Sequence, residues 1–133
     1  MIKYFLFLLS FFKIFSQELP PIQSFDIDEY NASGQNWMIT QDDDQNIFVA
    51  NNDGLLTFNG STWELYKTPK NTILRSVKYI NNIIYTGENS DFGYWIKNKN
   101  GFYSYTSLPT KFSFDLVEDE EFWNIVEFKN WIV

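Results

Sequence analysis

The chain has 133 residues, ten basic against seventeen acidic side chains, a formal charge of −7, and neither cysteine nor histidine. That length allows at most one ordinary domain. The acidic balance leaves no basic surface to neutralise phosphates, and the missing Cys and His remove thiol nucleophiles, imidazole triads and most metal sites.

One-fifth of the residues are aromatic, and Ala32 and Ala50 are the only alanines. Such a composition suits half-buried strands joined by Asn, Gly and Asp turns better than helices, so the expected fold class is all-β. Met1, Ile2 and Lys3 give a short positive start, and Tyr4 to Phe12 is an apolar run broken only by Ser10. This is the layout of a signal peptide. It is expected as a helix over 1–16, with cleavage between Ser16 and Gln17. The run is shorter than the ~20 apolar residues of a bilayer span, and Glu18, Pro20 and Pro21 follow at once. Its removal takes away Lys3 and Lys13 and no acid, changing the charge from −7 to −9. Residues 17–35 read as a linker.

Beyond residue 35 the chain repeats itself with a period of about 37 residues. Residues 47–58 (IFVANNDGLLTF) match 83–95 (IIYTGENSDFGYW), with Ile47 set against Ile83, Val49 against Tyr85 and Phe58 against Trp95, and one inserted residue before Phe92. An apolar strand precedes each, WMITQ (37–41) and ILRSVKYI (73–80), and an aromatic one follows, TWELY (62–66) and FYSYTS (102–107). Asn-, Asp- and Gly-rich stretches between them read as hairpin turns. Each unit therefore offers four antiparallel strands, over 36–71 and 72–109. An acidic linker follows at 110–121, and residues 122–133 read as the start of a third unit around a Lys129-Asn130 turn.

The second strand of the first unit is apolar on both faces, so each sheet needs a neighbour on either side. Four-stranded units sandwiched between copies of themselves describe a β-propeller. The alternative is one β-sandwich of eight or nine strands, and the register match between units favours the propeller. Two units and part of a third do not close a ring of four to eight blades, so the expectation is an incomplete propeller, the N-terminal fragment of a longer protein.

In a propeller the loops joining second to third strands open on one rim. Asn51, Asn52 and Asp53 in the first unit, and Glu88, Asn89 and Asp91 in the second, are candidate binding residues, because amides and carboxylates bond neutral polar ligands well. Arg75, on the first strand of its unit, could reach an anion; a salt bridge to a neighbouring-loop carboxylate is the favoured alternative.

Other motifs are weaker. Asp91-Phe92-Gly93 spells a kinase triplet without the accompanying kinase loops. Asp42, Asp43 and Asp44 lack the alternating spacing of a calcium loop, and the run Glu118 to Glu121 reads as solvated rather than as a glycosidase pair. Trp37, Trp63, Trp95 and Trp123 are expected mostly to fill the space between blades. Asn31-Ala32-Ser33 and Asn59-Gly60-Ser61 match glycosylation acceptors and read as turns. Neither a catalytic residue nor a metal or cofactor site is assigned.

Residues 35–95, with Pro20-Pro21-Ile22 before them and YTSL (105–108) and EDEEFWNI (118–125) after, closely resemble the opening of the two-component-regulator propeller proteins of Bacteroidetes. More narrowly, they resemble the flavobacterial triple-tyrosine-motif transcriptional regulators. The resemblance implies an exported propeller on the periplasmic or extracellular side of a bacterial inner membrane. In the parent protein a triple-tyrosine domain, a membrane helix and a cytoplasmic output would follow, either a helix-turn-helix of the LuxR type or a kinase. The segment itself would bind an extracytoplasmic ligand such as an oligosaccharide, or a partner, without catalysis and without touching DNA or membrane. The rival expectation is a secreted carbohydrate-active or carbohydrate-binding propeller protein.

Overall fold

The computed structural model describes residues 19–117 and 119–133; the expected signal segment and its Ser16–Gln17 cleavage point lie outside the described residues. A single helical turn, α1 (Ile27–Tyr30), is opened by Asp26, whose backbone N–H donates to Glu29 Oε2 at 2.7 Å. Two four-stranded antiparallel sheets follow. The first holds β1 (Asn36–Gln41), β2 (Ile47–Asn51), β3 (Gly54–Phe58) and β4 (Trp63–Tyr66), and the second β5 (Leu74–Ile80), β6 (Ile83–Glu88), β7 (Phe92–Lys97) and β8 (Tyr103–Ser107), each in simple up-and-down order. A short helix, α2 (Leu108–Phe112), and a two-stranded hairpin, β9 (Glu127–Phe128) with β10 (Trp131–Ile132), complete the described chain.

Turn chemistry fixes these hairpins. Asn81 and Asn82 both have positive φ, 50° and 64°, which gives the primed two-residue turn that matches strand twist. Gly54 has φ 138°, and a Cβ there would overlap the Tyr66 carbonyl oxygen. That position therefore requires glycine.

The two sheets are copies in fine detail. Each first strand carries one bulge against its second strand, at Trp37 in β1 and at Arg75 in β5. Counting ladder pairs from the bulge makes Phe48 equivalent to Tyr85, Ala50 to Gly87, Asn51 to Glu88 and Phe58 to Trp95. The expected alignment of Ile47 with Ile83 is thus one residue out, Ile47 being equivalent to Ile84, and the inserted residue before Phe92 disappears. A shift of one exchanges the faces of a strand. It went unseen because Ile83 and Ile84 are both apolar, so alternation alone carries no phase there.

With the register corrected, the packing is head to tail. The first sheet presents Phe48, Ala50, Leu55 and Tyr66, and the second meets it with Val77, Tyr79, Ile84 and Trp95. These are opposite faces of equivalent sheets. Phe48, Ala50, Leu55, Val77, Ile84 and Trp95 are all essentially removed from solvent, at roughly 1.5–3 kcal/mol for each large side chain. Trp95 Nε1 donates to Thr86 Oγ1 at 2.9 Å, so the buried indole keeps its partner. The other face of the first sheet holds Val49, Leu56 and Trp63, covered by Tyr30 and Ala32, while Phe25 meets Phe58 and Trp63 edge-on at 5.0 and 5.2 Å. Part of the 17–35 stretch expected as a linker is therefore a packed cover.

The stretch expected as an acidic linker, 110–121, also has structure. The last residues of α2 occupy its start. At its end Ser90 N donates to Glu120 O at 2.7 Å, Phe122 N to Glu88 O at 3.2 Å, and Asn89 and Glu121 form a bridge.

Candidate functional site

All seven sequence candidates lie at one end of the sheets, where β2 turns into β3, β6 into β7, and β1 and β5 begin. The structure divides them into two groups.

Asn51, Glu88 and Asp91 point inward. Asn51 is fully buried; its Nδ2 donates to Ser33 O at 2.6 Å and Asn36 Oδ1 at 2.7 Å, and its Oδ1 accepts from Asp53 N at 2.9 Å. The Asn51 side chain thus ties the β2–β3 turn to the incoming chain. Its equivalent, Glu88, is 1 % exposed. One carboxylate oxygen accepts from the Thr72 hydroxyl, and the other, Oε1, is buried without a hydrogen-bond partner, as is the Tyr105 hydroxyl. Burial is the main cause that raises Glu88 above the ordinary glutamate range; the neighbouring Thr72 and Tyr105 hydroxyls oppose it and the Asp91 charge adds to it. Asp91 accepts from Phe92 N and Ser107 Oγ, both at 2.8 Å, and pairs with Lys70 Nζ at 3.3 Å. These three were expected on an open rim. Asn51 and Asp91 instead serve backbone groups at the ends of buried strands, while Glu88 is buried on the Thr72 hydroxyl.

The second group faces outward around Arg75. Its guanidinium donates from Nη2 and Nε to Glu121 Oε1, at 2.8 and 3.2 Å. Its carbon lies 4.5 Å from the centre of the Trp37 ring and 4.7 Å from that of Trp123, and the two indoles meet edge to face at 5.3 Å. Trp37 Nε1 donates to Asn52 Oδ1 at 2.8 Å, which brings Asn52 into the assembly. Asp53 is exposed beside it, and half-buried Asn89 supplies the bridge to Glu121. The favoured expectation for Arg75, a neighbouring-loop carboxylate, is met by Glu121.

Trp37 and Trp123 depart from the expected filler role. They are 39 % and 45 % exposed, whereas Trp95 is buried as expected. Trp37 and Arg75 hold the equivalent bulged position in their first strands, and Trp123, expected on the first strand of a third unit, lies ahead of β9 and outside any strand. The structure gathers the three at one point, and for Trp37 and Arg75 the repeat, once in its corrected register, is the signal that relates them. Glu121 is 46 residues from Arg75, too far for any local pattern to reveal.

Chemically the assembly is a cation held between two aromatic faces and a carboxylate, with indole surface left open to solvent. It can stack a ring-shaped or planar ligand. Among the described residues no set of three acidic side chains converges as a metal site would require, and no helix is long and apolar enough to cross a membrane. Comparison with family models, characterised proteins and solved structures returns no match.

Proposed function

We propose that this chain is the sensory, non-catalytic part of an exported β-propeller in a membrane-spanning signal-transduction and transcriptional regulator, and that it binds an extracytoplasmic ligand or partner. The observation that carries this reading is the head-to-tail packing of two equivalent sheets, with Trp37 and Arg75 at the same bulged position of each and in contact with one another. Head-to-tail contacts between copies generate rings when the rotation closes. The resemblance of residues 35–95 to the regulator propellers supplies the cellular role.

Ligand at the Trp37–Arg75–Trp123 face would act by favouring one arrangement of the propeller and the domain after it, since only differential affinity shifts such an equilibrium. The experiment is to read the whole coding locus and to express what it encodes. Further repeats, a membrane helix and an output domain are expected. A locus that encodes repeats and a polysaccharide-cleaving domain, or no output domain, overturns the regulator.

One observation favours the rival carbohydrate-binding propeller: the open indole faces of Trp37 and Trp123. Saccharide binding without an output domain would select it.

A further inference from the structure

At the opposite end of the strands, a cleft of about 260 Å³ separates the outer edges of the two sheets. It lies between β4 with its preceding turn and the turn from β7 to β8. Its volume is below the range typical of drug-sized ligands, so it suits a small one.

Five aromatic side chains line it among amides and hydroxyls, and its two charged groups are Glu64 and Lys97. The rings of Tyr66 and Tyr103 stand perpendicular, 88° apart with centres at 5.3 Å, and Phe48 meets Tyr103 at 86° and 5.8 Å. Perpendicular rings form a corner in which a cation lies against more than one π face. Glu64 also lines the cleft and accepts from the Tyr66 hydroxyl. Burial first, then the charges of Asp42 and Glu64 with Tyr79 between them in weight, push the Tyr103 hydroxyl up to about 12. The phenol therefore stays neutral.

A cation already lies over one of these rings. Lys97 Nζ lies 5.4 Å from the centre of the Tyr103 ring, on a side chain otherwise exposed. No ion pair to Lys97 is formed among the described residues within 4 Å. Its ammonium sits by a ring face rather than a carboxylate.

We propose that this cleft binds a small organic cation of the quaternary or methylated ammonium class, with the Tyr66 and Tyr103 rings and the Glu64 carboxylate as recognition groups and Lys97 as an internal competitor. The chain's net charge of −7 draws such a ligand from solution. This inference concerns a site at the other end of the strands from Arg75, and its failure leaves the regulator reading untouched.

The test is calorimetric titration of the full chain with choline and with its neutral carbon isostere, 3,3-dimethylbutan-1-ol. Saturable choline binding, about tenfold tighter than the isostere, is expected from the charge-dependent part of the interaction. Lys97→Met should tighten choline binding about threefold or more by removing the competitor, and Glu64→Gln should weaken it by a similar factor. Both side chains are exposed, and far-UV circular dichroism verifies the fold of each variant. Equal affinity for choline and isostere, no binding of either, or a folded Tyr103→Leu variant that binds choline as well as the parent overturns the proposal.

Discussion

Trp37 and Arg75 hold the same bulged position in successive sheets, and the guanidinium carbon of one lies 4.5 Å from the indole centre of the other. A bulge re-aims its side chain away from the ladder. Repeating it in each unit turns successive residues toward a shared point, where Trp123 and Glu121 join them.

Arg75 accordingly locks residues 121–123 to the two sheets. Arg75→Lys keeps the charge but loses the planar fork that serves carboxylate and indoles together. It should cost about 1–2 kcal/mol, and hydrogen exchange should rise at residues 120–125 before it rises in β6. Protection of 120–125 unchanged from the parent would show that the lock lies elsewhere.

Gly87 makes a second test of the same junction. A Cβ there would lie 2.5 Å from both Phe122 O and Ser76 Oγ, and 2.6 Å from the Phe122 Cβ. Ser76 Oγ donates to Phe122 O at 2.7 Å. Gly87→Ala should displace Phe122, raising proteolytic cleavage after residue 112 severalfold while the two sheets keep their circular dichroism. Cleavage at the parental rate would mean that the neighbours move aside without loss.

Buried Glu88 predicts a pH dependence with a definite sign. Burial raises its folded value above the 4.5 of a free glutamate, so the neutral acid is favoured in the folded chain. Its contribution to stability is then fully present below about pH 4.5 and is lost as pH rises through the folded value. Glu88→Gln keeps a neutral hydrogen-bonding group, and should flatten this loss and raise the melting temperature at pH 7 relative to the parent. Parallel melting-temperature profiles for parent and variant between pH 4 and 8 would contradict it.

The Trp95–Thr86 bond lies inside the core between the sheets. Thr86→Val leaves a buried indole N–H unpartnered and should cost about 1–3 kcal/mol in denaturant unfolding. Adding Trp95→Phe removes that orphan, so the double variant should lose less than the two single losses summed. Simple additivity would show the bond to be energetically idle.

Much of the fold was legible in the chain. Strands over 37–41, 73–80 and 102–107 were expected within a residue of where β1, β5 and β8 lie, because alternation and Asn-rich turns are local signals. The phase between copies was not, since the five residues 42–46 and the two residues 81–82 join equivalent strands with different lengths, and only the ladder shows how the difference is absorbed. Of the site, Arg75 was visible as a cation on a first strand. The inward turn of Asn51 and Glu88 was not, because an Asn or Glu beside a turn has the same sequence appearance whether it faces solvent or is buried on a backbone group or a hydroxyl. Nor could the sequence show that Phe25 and Tyr30 shield a sheet, a role set by a contact more than thirty residues along the chain.

Faces that fit one another without being alike behave as cups do in a stack. Each accepts the next from one side only, and no pairwise embrace uses up both surfaces. Phe25, Tyr30 and Ala32 sit where a preceding cup would nest. They stand in for that neighbour within the described chain, and any copy that came to pack on the first sheet would have to displace them.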